Sequence, residues 1–166
     1  MKYALMIRND ALSKETALKI KEGLKDFFMY DDQNPDLVIS IGGDGTILEA
    51  VHHYLNKDCC FVGIHTGTLG FYTDYQVDQV DQFIKDVTSR EFTTMKRYLL
   101  EIKVNKKNQS ETYYALNELR LDQGLQAQVI HVYINDVLFE VFRGNGLCVS
   151  TPSGSTAYNK SLGGAI

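Results

Sequence analysis

The residues of this chain best suited to chemistry are Gly42-Gly43-Asp44-Gly45-Thr46, which follow directly on the apolar run Leu37-Val38-Ile39-Ser40-Ile41. An apolar strand, a glycine turn and a helix start are expected in that order. Glycines let the backbone turn tightly and approach a phosphate without Cβ interference, and a helix that starts there offers unpaired N–H groups to an anion. A carboxylate beside such a cradle is repelled by the ligand unless it faces a metal ion or a hydroxyl that must lose its proton. Asp44 in this turn therefore points to phosphoryl transfer to an alcohol. The plainer reading is a tight strand-to-helix turn in which Asp44 only caps the helix.

Two further stretches carry polar groups at close spacing. His65-Thr66-Gly67-Thr68-Leu69-Gly70-Phe71 is a second glycine loop, and Ser150 to Ile166 is dense in hydroxyls and glycines ahead of a short helix. Metal-ligand spacing is absent from the sequence: Cys59, Cys60 and Cys148 form no CxxC pair, His52 and His53 diverge on a helix, and His65 and His131 stand apart. Cys59 and Cys60, in the run Cys59-Cys60-Phe61-Val62-Gly63-Ile64, read as small core residues. No GxxxxGK[ST] and no protein-kinase catalytic loop occurs.

The elements that must position these groups follow from hydrophobic periodicity. Tyr3 to Ile7 reads as a strand. Ala17, Ile20, Leu24 and Phe27 form a helical face, and a second strand ends at Ile41. Ile47, Leu48, Val51 and Leu55 form another helical face, Phe61 to Ile64 a further strand, and Val77, Val80, Ile84 and Val87 a third helix. Strict alternation predicts an α/β, Rossmann-like domain over residues 1–95 with a parallel sheet. Ligands of such sheets bind beyond the carboxyl ends of the strands, where both glycine loops would lie. From about residue 96 the pattern becomes strand-rich. Leu100, Ile102 and Val104 alternate with polar residues, and Val129 to Ile134 and Val137 to Phe142 flank an Asn135-Asp136 turn. Residues 96–166 are expected to form a β-rich, sandwich-like domain, incomplete at its C-terminus because the chain stops on Ala165-Ile166 without a polar tail.

With 166 residues, 44% hydrophobic and 23% charged, the chain has the composition of a globular protein. A formal net charge of −4 gives no general attraction to nucleic acid or an anionic membrane. The opening segment is too short in apolar residues for a signal peptide and no later run reaches membrane-spanning length, so the expected compartment is the cytoplasm.

Taken together, Gly42-Gly43-Asp44-Gly45-Thr46, Gly67-Thr68-Leu69-Gly70-Phe71, Asn117-Glu118 and Thr151-Pro152-Ser153-Gly154-Ser155-Thr156-Ala157-Tyr158 resemble the NAD kinase family. The first motif alone is shared with diacylglycerol, sphingosine and phosphofructokinase relatives; the others in this order narrow it. The resemblance implies transfer of phosphate from ATP, with Mg2+ or another divalent metal, to the 2′-hydroxyl of the adenosine ribose of NAD. It implies Asp44 as the base and Gly42, Gly43, Gly45 and Thr46 around the donor phosphates, Gly45 also touching substrate. Asn117 and Glu118 would hold adenosine and ribose polar atoms. Ser153, Thr156, Ala157, Tyr158, Asn159 and Ser161 would line the dinucleotide pocket, Phe71 would wall it, and Arg143 would add a cation. No metal ligand is assigned to the protein itself. Arg143-Gly144-Asn145-Gly146 stands where the family usually reads Arg-Gly-Asp-Gly, so Asn145 lacks a charge that could face the cationic nicotinamide. The resemblance also implies a homo-oligomer and a chain that continues past Ile166.

Each of these residues has an ordinary alternative. Neighbours on a regular strand face opposite sides, so Asn117 and Glu118 share a ligand only at a bulge or a strand end. Tyr158 and Phe71 could be packing aromatics, and Ser153 and Thr156 helix caps. At the level of function the alternatives are a lipid kinase with the same glycine turn, a catalytically impaired dinucleotide-binding fragment and a structural fragment that binds nothing.

Overall fold

The computed structural model describes residues 1–67, 70–124 and 126–166. Thr68 and Leu69 of the second glycine loop lie outside the described residues. The chain divides into two compact units, Met1–Met95 and Lys96–Ile166.

The first unit is a five-stranded, all-parallel sheet. Its strands are β1 (Lys2–Ile7), β2 (Met29–Tyr30), β3 (Leu37–Gly42), β4 (Cys60–His65) and β5 (Tyr75–Gln76), in the order β2-β1-β3-β4-β5. Helix α1 (Ala11–Leu24) follows β1, α2 (Asp44–His53) connects β3 to β4, and α3 (Val80–Ser89) follows β5 after a 3₁₀ turn at Val77–Gln79. Every residue of β3 is buried, as expected of a central parallel strand covered on both faces. Its side chains alternate between two cores. Leu37, Ile39 and Ile41 pack with Ala17, Ile20, Leu24, Val80, Phe83 and Val87 of α1 and α3, while Val38 packs with Ala4, Ala50 and Tyr54 on the opposite face.

Three expectations are corrected. Helix α1 ends at Leu24, and the N–H groups of Phe27 and Phe28 both turn back to the Leu24 carbonyl at 3.0 and 2.9 Å. Phe27 is consequently exposed, and Phe28 packs against the core in its place. On α2 the buried positions are Thr46, Ile47 and Ala50, followed by Tyr54, whereas Leu48, Val51 and Leu55 are half-buried. The smaller Thr46 and Ala50 sit where the helix meets the sheet, which rotates the stripe away from the larger residues. Cys60, at the first position of β4, is exposed, and Cys59 is half-buried against the α2-side core.

The second unit is strand-rich, as expected, but its hydrogen bonding resolves into three antiparallel ribbons rather than two continuous sheets. They pair β6 (Leu100–Lys106) with β7 (Gln109–Ala115), β8 (Glu118–Asp122) with β11 (Gly146–Ser150), and β9 (Gln128–Ile134) with β10 (Val137–Gly144). Asn135 and Asp136 turn the β9–β10 hairpin with φ of 49° and 63°, the left-handed pair that a two-residue hairpin loop demands and these short polar side chains tolerate. Among the described residues of this unit Leu116 is the buried apolar side chain, while Tyr133, Val137, Phe139 and Val141 are exposed. A short helix, α4 (Tyr158–Ser161), follows β11.

Candidate functional site

The carboxyl ends of β1, β3 and β4 lie side by side. The Arg8 N–H donates to the Ile41 carbonyl at 2.9 Å, and the Thr66 N–H to the Gly42 carbonyl at 2.9 Å. Strand order places the topological switch between β1 and β3, because the chain leaves β1 toward β2 on one side and returns to β3 on the other. Gly42 to Gly45 occupy that point, with Gly43 as the N-cap of α2 and Asp44 in its first turn.

Asp44 does more than cap. Its Oδ2 accepts the Phe71 N–H at 2.9 Å and its Oδ1 the Tyr72 N–H at 3.0 Å, so one carboxylate clamps the second glycine loop against the first. A Cβ on Gly70 would collide with the Asp44 carboxylate; that position stays bare so the loop can reach it. Each oxygen keeps a second lone-pair site for a substrate hydroxyl. Thr46, expected among the phosphate contacts, is buried, and its Oγ1 accepts the Gly43 N–H at 3.4 Å. It braces the turn from beneath. Gly45 is exposed, and among the described residues nothing stands within 4 Å of a Cβ placed there. Phe71 is exposed and stacks edge-on to Tyr72 with centroids 5.0 Å apart, which removes the core-residue reading for it.

Two neighbours escaped the sequence reading. Arg8 stands just past β1, and its guanidinium bonds Asp10 through Nε at 2.7 Å and the Thr66 carbonyl through Nη2 at 3.3 Å. That ion pair, with N–H and hydroxyl donation from Ser13, holds the Asp10 carboxyl well below the usual range. His65, set apart as an isolated histidine in the sequence, is buried beside the turn and accepts the Gly67 N–H on Nδ1 at 2.8 Å. Its place at the end of an apolar strand flanking the glycine turn was the available signal.

The remaining candidates belong to the second unit. Asn117 directly precedes β8 and Glu118 begins it, so the pair stands at a strand end, one of the two settings in which adjacent residues can share a ligand. Thr151 anchors the hydroxyl-rich segment there. Its Oγ1 donates to the Leu116 carbonyl at 2.6 Å and its N–H to the Asn117 carbonyl at 2.8 Å. Gly154 then packs on Asn117 so closely that a Cβ would lie 2.6 Å from the Asn117 Cα. Ser153 joins this group through Thr151 Oγ1 at 3.2 Å. Glu118 Oε2 is buried and among the described residues has no hydrogen-bond partner, a cost that a ligand donor would relieve.

Asn145 and Tyr158 line a second feature, an open depression of about 480 Å³ that also takes in Arg120 and Leu162. Tyr158 is exposed, with the Arg120 guanidinium 4.5 Å from its ring centre, so it is no buried packing aromatic. Arg143, Thr156, Ala157 and Ser161 are exposed. Asn159 turns inward on its own segment, donating to the Ser155 and Ala165 carbonyls at 3.2 and 2.8 Å, and Ser161 donates to the Tyr158 carbonyl at 2.7 Å.

Among the described residues no group of three His, Cys, Asp or Glu comes together.

Comparison with known proteins settles the kinship of this arrangement. Residues 6–92 match the ATP-NAD kinase N-terminal domain and residues 116–166 the ATP-NAD kinase C-terminal domain. The chain belongs to the ATP-NAD kinase family. It is 46% identical over 171 residues to NAD kinase 1 of Bacillus anthracis and 44% identical over 173 residues to the NAD kinase of Staphylococcus aureus; each alignment covers 100% of the chain and 64% of the relative. The chain thus spans just under two thirds of the length of these curated relatives. A yeast NADH kinase solved with NADH shares the fold, with a TM-score of 0.89, 22% identity and coverage of 100% of this chain and 62% of that one. An NAD kinase from Archaeoglobus fulgidus solved with ATP gives a TM-score of 0.78 at 25% identity, covering 100% and 67%. Family members therefore share the parallel α/β unit and the strand-rich unit seen here.

Proposed function

We propose that this protein transfers the terminal phosphate of ATP to the 2′-hydroxyl of the adenosine ribose of NAD, yielding NADP and ADP. The observation that carries the reading is Asp44, fixed at the switch point of the sheet by two backbone donors from the facing glycine loop. The ribose oxygen forms a bond to the terminal phosphorus, the bond from that phosphorus to the bridging oxygen breaks, ADP leaves, and the hydroxyl proton passes to Asp44. A ribose hydroxyl is a weak acid, so a carboxylate held in one orientation is the group the step requires.

Asn117 and Glu118 receive the adenosine end on this reading, Glu118 Oε2 taking a hydroxyl proton in hydrogen bond. Ser153, Thr156, Ala157 and Tyr158 supply the dinucleotide surface. A divalent metal arrives on the ATP phosphates. The family kinship supports a homo-oligomer acting on small molecules in the cytoplasm. Among the described residues no helix is long and apolar enough to cross a membrane. Family membership does not favour a lipid acceptor or a binding-only fragment.

The test is NADP formation from NAD, ATP and magnesium, run beside Asp44→Ala. Turnover that vanishes in the variant is expected. Full turnover in Asp44→Ala would remove the assigned base, and phosphorylation of a lipid but not of NAD would replace the acceptor.

A further inference from the structure

Arg8 and His65 have no place in the chemistry above, yet both aim at its centre. The guanidinium of Arg8 is anchored on two of its three nitrogens, Nε to Asp10 and Nη2 to the Thr66 carbonyl. The third, Nη1, lies 4.0 Å from where a Cβ on Gly43 would sit and 3.8 Å from the same point on Gly67. It therefore faces the side on which Gly43 and Gly67 carry no side chain. His65 approaches the same two glycines. Its Nδ1 accepts the Gly67 N–H, which assigns the neutral-ring proton to Nε2. Nε2 lies 3.8 Å from the Cβ point of Gly43.

We infer that Arg8 Nη1 and His65 Nε2 bind the polyphosphate of the donor nucleotide in front of Gly43. The inference rests on the kinase reading, which supplies the donor but assigns it neither residue. Its physical basis is the match of a fixed cation and a fixed N–H donor to an oxyanion with several acceptor atoms. The N-terminus of α2, a helix of ten residues, opens on the same point. The negative groups nearby are turned aside. Asp10 is held by Arg8 Nε and by Ser13, and the Asp44 oxygens point at the Phe71 and Tyr72 N–H groups. Arg8 keeps a net role because Asp10 binds Nε, and among the described residues no hydrogen bond is recorded on Nη1.

The experiment is calorimetric titration of the protein with inorganic triphosphate, without magnesium, and separately with NAD. Arg8→Gln is expected to weaken triphosphate binding about tenfold, the equivalent of about 1.4 kcal/mol. Arg8→Lys is expected to recover part of that loss. His65→Asn keeps an oxygen to accept the Gly67 N–H but ends short of Gly43, and is expected to weaken binding about tenfold, the lower end of a hydrogen bond to a charged group. NAD affinity should stay at the wild-type value in all three, while the urea midpoint falls in Arg8→Gln, which loses the ion pair to Asp10. Triphosphate binding that is unchanged in Arg8→Gln and His65→Asn overturns the inference, as does a parallel loss of NAD affinity, which would mean a merely structural role. A wild-type protein that binds NAD but no triphosphate overturns it and leaves the dinucleotide reading standing; binding neither overturns both.

Discussion

Asp44→Asn separates the two tasks that the structure gives one carboxylate. Aspartate accepts two backbone N–H groups, from Phe71 at 2.9 Å and Tyr72 at 3.0 Å. Asparagine offers one oxygen and one NH2, so one of those N–H groups would meet a donor instead of an acceptor. A hydrogen bond to a charged group contributes about 1.5–3 kcal/mol, and the negative charge in the first turn of α2 adds about 0.3–1 kcal/mol through the helix dipole. Because Asp44 is only half-buried, solvent takes back part of this, and the expected fall in unfolding free energy is about 1–3 kcal/mol. Loss of a general base lowers turnover by about 10²–10⁴-fold. Urea unfolding and NADP formation should be measured on the same preparation. Full turnover would refute the base, and an unmoved urea midpoint would refute the clamp, each independently of the other.

Phe83, 2% exposed and set edge-on to Tyr75 at 5.3 Å, anchors α3 on the sheet; Phe83→Ala should cost about 3–5 kcal/mol, read as a lowered denaturation midpoint. Gly154→Ala should drive the 151–158 segment off Asn117, because the new methyl meets backbone at 2.6 Å. Turnover should fall on the order of a hundredfold, with the first unit's melting unchanged; wild-type NADP formation would show that the close approach is dispensable. Asp31 is bonded by Lys2 Nζ at 2.8 Å and by the Asn34 and Gln33 N–H groups, which hold its pKa at about 2. A carboxyl depressed in the folded state stabilises above its unfolded value of about 3.9 and loses that contribution as pH falls toward 2. The melting temperature should therefore drop more steeply between pH 4 and 2 in the wild type than in Asp31→Asn, and superimposable profiles would count against the ion pair.

Much of the fold was legible in the sequence because parallel α/β architecture writes itself in local periodicity. The unbroken apolar run Leu37 to Ile41 requires a strand covered on both faces, and the glycines after it require a tight turn at the strand end. The Asn135-Asp136 pair likewise announces its hairpin, since few other residues accept two consecutive left-handed conformations. Asp44 stood out because a carboxylate is costly beside phosphates unless it has chemistry to do. These are conclusions about a residue and its near neighbours along the chain.

What only the tertiary structure decided are matters of distance between residues far apart in sequence. Nothing local shows that Asp44 would clamp Phe71 and Tyr72, or that Thr46 would be turned under the glycine loop. Arg8 looks like an ordinary charge after a strand, and His65 like an isolated histidine, until strand order sets β1, β3 and β4 side by side and brings both to Gly43. Of the face that periodicity gives α2, Ile47 is buried but Leu48, Val51 and Leu55 are only half-buried, because periodicity weights large side chains while the closest approach of a helix to a sheet selects small ones such as Thr46 and Ala50. Local sequence specifies which conformations and chemistries are possible at each residue; the register of the sheet, a long-range property, selects which of them meet.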